Sequence, residues 1–163
     1  MKRKVTVTEY FERISWLRDA ISDIAISTDL IVGFPGESDQ DFEDTITLVK
    51  KARFSFAYAF KYSPRKGTAA QRFKDQVPER VKSQRLTRLL KLQDQITIEE
   101  NQSQIGKTQE TLFLYESKKE PGIYYGRTEH FRLIRVKSNH GLVGNLLPVK
   151  VTSANKTTLM GTI

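Results

Sequence analysis

One nearly unbroken apolar run, Ile24-Ala25-Ile26-Ser27-Thr28-Asp29-Leu30-Ile31-Val32, constrains this chain more than any other feature, and it stops abruptly at Gly33-Phe34-Pro35-Gly36-Glu37. Apolar residues that are almost continuous, instead of alternating, predict a buried parallel strand. Ser38 or Asp39 can cap a following helix in which Phe42, Ile46, Val49 and Ala52 share a face, with Asp39, Asp41, Glu43 and Asp44 favourably placed near its positive end. Phe54 to Tyr62 reads as a second strand, rich in aromatic residues. Ahead of the run, Tyr10, Phe11, Ile14, Leu17 and Ile21 recur at helical spacing, which predicts a helix over 8–21 capped by Thr8. The order helix, strand, helix, strand belongs to an open or barrel-like parallel sheet of the α/β class.

Two strands do not make a sheet that buries both its faces, and the first hundred residues offer no more. This part of the chain therefore resembles the end of something larger. Its exposed sheet edge is expected to pair with a second copy or another chain, or else to leave the unit poorly stable alone. Ser63-Pro64-Arg65-Lys66-Gly67-Thr68 is a turn. After a loop, Pro78 opens the longest helix, over about 78–100, with Val81, Leu86, Leu89, Leu90, Leu92 and Ile96 as its apolar stripe and Arg80, Lys82, Arg85, Arg88 and Lys91 mostly elsewhere.

Near Gln102-Ser103-Gln104-Ile105-Gly106 the pattern changes. Short strands at about 107–115, 122–127, 131–137, 146–154 and 157–163 predict a small closed or half-closed barrel, so the chain divides into 1–101 and 102–163.

Charge separates the parts as well. Residues 1–60 carry 8 basic and 10 acidic side chains, residues 61–102 carry 10 and 5, and residues 103–163 carry 9 and 4. A polyanionic partner fits the last two thirds, although a well-solvated surface has the same charge. The 163 residues include no cysteine and only two histidines, His130 and His140. Disulfides, a thiol nucleophile, a thiolate zinc site and an internally ligated iron–sulfur cluster are all excluded. No stretch reads as a signal peptide or a membrane span, so a soluble cytoplasmic protein with no membrane partner is expected.

The segments Thr28-Asp29-Leu30-Ile31-Val32-Gly33-Phe34-Pro35-Gly36-Glu37, Phe60-Lys61-Tyr62-Ser63-Pro64-Arg65-Lys66-Gly67-Thr68-Ala69-Ala70 and Asp75-Gln76-Val77-Pro78-Glu79-Arg80-Val81-Lys82 resemble the radical-SAM methylthiotransferases. Tyr125-Gly126-Arg127-Thr128-Glu129 resembles the Gly-Arg-Thr signature of the appended TRAM domain, an RNA-binding barrel. Four such segments in the family's order make the likeness specific, and it runs over the whole chain. It implies the C-terminal part of a partial (β/α) radical-SAM barrel followed by a five-stranded OB-like barrel. It further implies methylthiolation at C2 of N6-dimethylallyladenosine, position 37 beside the anticodon of tRNA, with S-adenosylmethionine as cofactor and two 4Fe-4S clusters. The cluster cysteines lie in an N-terminal portion that has no counterpart here, so this chain alone is expected to be inactive. Two other readings remain: a stand-alone RNA-binding protein, or a portion of a sister enzyme acting on another modified adenosine or a ribosomal protein.

Residues at the carboxyl end of a parallel strand line the ligand crevice of such folds. Ile31, Val32, Gly33, Phe34 and Pro35 form the first candidate site, which the resemblance sets against the adenosyl group. Equally, Gly33 and Pro35 have a simpler reading as the shapers of a tight turn. Thr28 and Asp29 interrupt a buried strand and need partners, one of them a candidate for the ribose or methionine end. Tyr62, Ser63 and Pro64 end the next strand on the same edge. Arg65 is a candidate for a phosphate or carboxylate, or else a solvated turn residue. In the barrel, Arg127, Arg132, Arg135 and Lys137 lie along adjacent predicted strands with Tyr124, Tyr125 and Phe131 between them, as in proteins that hold looped RNA, here an anticodon stem-loop, although an ordinary barrel core also needs some of those aromatics. At Phe131 the resembled family more often has a polar residue, which argues against a base-specific contact there.

Overall fold

The computed structural model describes residues 4–163. The chain divides into two compact units, Met1–Ile96 and Thr97–Ile163. The element order is α1 (Val7–Ala20), β1 (Ser27–Val32), α2 (Asp39–Ala52), β2 (Phe56–Lys61), a short 3-10 turn (Ala69–Arg72), α3 (Glu79–Gln102) and then β3 (Thr108–Glu116), β4 (Ile123–Thr128), β5 (Leu133–Lys137), β6 (Leu146–Ala154) and β7 (Leu159–Thr162). The class is mixed α/β, as expected.

Helix starts follow from local hydrogen bonding. Thr6, and not Thr8, caps α1, because Glu9 three residues on can return the bond: the Thr6 hydroxyl accepts from the Glu9 N–H and the Glu9 carboxylate accepts from the Thr6 N–H at 2.7 Å. At α2 the same box forms between Ser38 and Asp41. The Ser38 hydroxyl first, and then its backbone N–H, hold the Asp41 carboxyl below the usual carboxylate range.

Strands β1 and β2 pair in parallel, Ser27 opposite Phe56 and so on to Val32 opposite Lys61, and they are the whole of that sheet among the described residues. The core of the first unit gathers Val32, Phe42, Ile46, Val49, Ala52, Phe54, Leu89 and Ile96, with Ile14 from α1. Complete burial of Phe54, Val49 and Leu89 stabilises by roughly 1.5–3 kcal/mol each.

Here two expectations need correction. The apolar run of β1 is covered on one face only: Leu30 and Val32 face the core, while Asp29, Ile31, Tyr58 and Phe60 are exposed. One layer of helices covers one face of a two-stranded sheet, so Ile31 keeps 41 %, Tyr58 62 % and Phe60 53 % of their surface open. On α3, Lys82 and Arg85 are buried whereas Leu90 is exposed. The inward face of that helix follows 82, 85, 89, 93 and 96, and its first two positions are charged.

In the second unit five strands close into a barrel in the order β3-β4-β5-β7-β6, antiparallel except for the β5–β7 pair. Phe113, Tyr124, Ile134, Val136, Leu142, Val149, Val151 and Leu159 fill it. So small a barrel brings strands very close. A Cβ on Gly126 would lie 2.5 Å from Thr111 Cγ2 and 2.7 Å from the Leu112 carbonyl oxygen, so glycine is required in β4 where it crosses β3. No helix among the described residues is long and apolar enough to cross a membrane.

Two predictions follow from these local contacts. Ser38→Ala removes the cap and is expected to cost about 1 kcal/mol in urea unfolding. Because Asp41 has a lowered carboxyl pKa in the folded state, the box stabilises fully above the ordinary carboxylate range and its effect fades as pH falls through it. The difference between Ser38→Ala and the unaltered chain should therefore shrink on acidification. Gly126→Ala should destabilise the barrel by about 1–3 kcal/mol, read as a lowered thermal midpoint.

Candidate functional site

At the carboxyl ends of β1 and β2 the chain is tied down by side chains from α3. Gly33 has a φ of 73°, in the left-handed region, and the space its missing Cβ would take is filled by the stem of Lys82. The Gly33 N–H donates to the Glu37 carboxylate. Arg85 donates to the same carboxylate at 2.9 Å, to the Glu37 carbonyl at 3.1 Å and to Asp39 at 2.7 Å. Burial lowers the Arg85 pKa, but the bonds to Asp39 and Glu37 outweigh it and the net shift is upward. Lys82 Nζ donates to the Tyr62 carbonyl at 3.3 Å and lies 5.4 Å from the centre of the Tyr62 ring. The Tyr62 N–H in turn donates to the Val32 carbonyl at 2.8 Å, extending the strand pairing past β2.

The predicted residues of this site do not all converge. Phe34 and Tyr62 meet edge to face at 5.2 Å, and Phe73, absent from the predicted set, approaches Phe34 at 6.4 Å. Val32 and Pro35 are buried, and Val32 is wholly inside the helix-side core. Thr28 shares that inward face, whereas Asp29 and Ile31 point from the open face of the sheet, opposite Tyr58 and Phe60. Ser63, Pro64 and Arg65 are exposed, and the Arg65 carbonyl closes its turn by accepting from Thr68. Glu37, Lys82 and Arg85 were missed by the sequence reading. A signal existed: 82, 85 and 89 share one helical face, and Glu37 and Asp39 flank the cap of α2.

The Phe34 ring thus packs edge to face with both Tyr62 and Phe73. The Tyr62 hydroxyl is buried and has no partner among the described residues. A buried hydroxyl without a hydrogen bond costs roughly 1–3 kcal/mol, so an added acceptor or donor there would be welcome. Among the described residues no group of three His, Cys, Asp or Glu stands ready to hold a metal ion.

The barrel carries the second surface. Along β4 and β5 the side chains alternate, so Tyr124, Gly126, Ile134 and Val136 go inside while Tyr125, Arg127, Arg135 and Lys137 go outside. Register places Tyr125 between Tyr115 and Arg135, and Arg127 between Leu112 and Leu133. The Tyr115 and Tyr125 rings are stacked at 5.3 Å. Arg135 reaches Glu120 at 3.5 Å, an exposed contact that leaves it available. Arg127 lies over the Phe131 ring at 4.9 Å and donates to the Phe131 carbonyl at 2.9 Å. Phe131 is in a turn and not in a strand, because the Thr128 N–H donates to the Arg132 carbonyl and the Phe131 N–H donates to the Thr128 carbonyl. The Gly126-Arg127-Thr128 segment thus has three separate roles: close strand approach, an outward cation and a turn closed by the Thr128 hydroxyl, which accepts from the Arg132 N–H at 3.2 Å.

Arg132 stands apart from the other cations. Its guanidinium donates to Asn101 at 2.5 Å, while Asn101 donates to the carbonyls of Asn155 and Lys156. Burial pushes the Arg132 pKa down, and the nearby Glu100 carboxylate partly opposes this. It braces the unit from within.

No family model matches the chain. Curated relatives do match it, end to end, and each aligns with the chain through its C-terminal part. The relatives bear the name tRNA-2-methylthio-N(6)-dimethylallyladenosine synthase. That of Thermodesulfovibrio yellowstonii is 45% identical over 163 residues, which is 100% of this chain and 37% of the relative. That of Finegoldia magna is 42% identical over 161 residues, 99% of this chain and 35% of the relative. That of Ehrlichia ruminantium strain Gardel is 44% identical over 165 residues, 100% of this chain and 37% of the relative. The chain therefore spans little more than a third of the length of the relatives it matches.

Arg85→Ala would leave Glu37 with half its partners removed and little water to replace them. It is expected to lower stability by about 2 kcal/mol, less than a fully buried pair because Asp39 is almost wholly exposed. Chemical denaturation of the variant checks this.

Proposed function

We propose that this chain is the part of a tRNA methylthiotransferase that grips the RNA and forms one wall of the adenosyl site. The substrate would be N6-dimethylallyladenosine at position 37, reached by holding the anticodon stem-loop in the cytoplasm. The observation that carries the reading is the single barrel face on which Arg127, Arg135 and Lys137 share space with Tyr115, Tyr125 and Phe131. Cations take phosphates, and aromatic rings take unpaired bases. End-to-end similarity to relatives named for this reaction supports it.

S-adenosylmethionine, when bound with a reduced 4Fe-4S cluster, supplies the radical that opens a carbon–hydrogen bond. Phe34 and Tyr62 would flank its adenine, and the Tyr62 hydroxyl would gain the partner it lacks. Lys82, Glu37 and Arg85 would act indirectly, by fixing the loop that carries Phe34. No cysteine is present to ligate a cluster, so the chain by itself is proposed to be inactive in methylthiolation. The open edge and open face of the β1–β2 sheet are proposed to be covered by further strands, from another part of the enzyme or a second copy. The missing thiolates also favour a second reading, in which this chain alone serves only to bind RNA.

Titration of labelled tRNA at several salt concentrations tests the barrel face. Binding should weaken steeply with salt, and Arg127→Ala, Arg135→Ala and Lys137→Ala should each reduce the slope by about one. Arg132→Ala should instead lower the thermal midpoint with little change in slope. Absence of salt-dependent binding would remove the RNA reading. At the first site, Arg65→Ala should weaken S-adenosylmethionine or tRNA binding severalfold by calorimetry, and unchanged binding of both would place Arg65 outside it.

A further inference from the structure

Phe131 occupies a backbone conformation that suits it badly. Its φ is 60°, and Arg53, the left-handed cap of α2, is the only other described residue besides glycine with a positive value. Glycine or asparagine adopts this region readily, whereas a bulky side chain there is an outlier. Burial does not compensate, for 66 % of Phe131 is exposed. An exposed ring held at a strained position points to a task at the surface.

Its surroundings specify the task. One contact of the ring is the Arg127 guanidinium, which is fixed by its bond to the Phe131 carbonyl. Arg127 emerges from β4 beside Tyr125, which is already stacked on Tyr115 and flanked by Arg135. A ring that is anchored by a cation and otherwise open is suited to accept another flat, electron-rich ring. The excess of nine basic over four acidic residues in 103–163 favours a partner whose rings come with phosphates.

We propose that Phe131, fixed by Arg127, is a stacking platform for one unpaired nucleobase, and so a specificity-determining residue of this barrel. The proposal rests on the RNA-holding role of the barrel face and goes beyond it in assigning a base contact to one side chain.

The full 163-residue chain and its Phe131→Asn and Phe131→Trp variants would be titrated with an RNA hairpin, the same stem as an uninterrupted duplex, and hairpins abasic at each loop position in turn. Phe131→Asn should weaken hairpin binding about tenfold, leaving duplex binding and the salt slope as they were, while Phe131→Trp retains affinity. One abasic position should make the Phe131→Asn variant and the unaltered chain bind alike. The thermal midpoint of Phe131→Asn should not fall, since asparagine tolerates the left-handed region. Equal hairpin affinity for all three proteins would overturn the platform while leaving the RNA reading intact, provided Arg127→Ala and Arg135→Ala still reduce the slope. A midpoint lowered by several degrees would show the ring to be structural and overturn it too. Binding of neither hairpin nor duplex by the unaltered chain would sink both readings.

Discussion

The first unit depends on how two cations of α3 are accommodated beneath the loop that follows β1. Arg85 joins Glu37 and Asp39 at the start of α2, and the Lys82 stem fills the space beside Gly33 while its ammonium holds the end of β2. Strand, loop and two helices are thus fastened at one place. Burying an arginine is costly, and the cost is met only because its carboxylate and carbonyl partners are supplied together. The loop cannot shift without breaking several of these bonds at once, which gives Phe34 and Tyr62 a fixed position.

This changes the meaning of the glycine-rich turn. Gly33 is required by its backbone conformation and by the Lys82 stem, so its presence is explained without a ligand. What points to a ligand is the neighbouring Tyr62 hydroxyl, buried with no partner among the described residues, and the aromatic rings around it. The structural reading therefore falls on Gly33 within the turn, and the proposed functional reading falls on Tyr62, just past β2.

The barrel solves a different problem. Its interior is narrow enough that Gly126 has no room for a side chain, and its exterior collects cations and rings on the β4–β5 face through simple alternation. Alternation explains why Tyr124 and Tyr125, adjacent in sequence, have unrelated roles: one is core, the other surface. It does not explain Arg132, which follows the turn at Phe131 and is drawn to Asn101.

Much was legible in the sequence because it rests on local physics. Hydrophobic patterning located the helices and the strands described in both units, and the spacing of Phe42, Ile46, Val49 and Ala52 identified the buried face of α2. The absence of cysteine settled, from composition alone, that no thiolate-bound cluster is held by this chain. Tertiary structure decided the rest, because it depends on partners distant in the chain. Only packing showed that β1 keeps an open face, that Lys82 and Arg85 turn inward to meet Glu37 and the end of β2, and that Arg132 braces the barrel. A charged side chain carries no mark of its partner in the sequence; the partner is set when the backbone brings residues nearly fifty positions apart within hydrogen-bond distance.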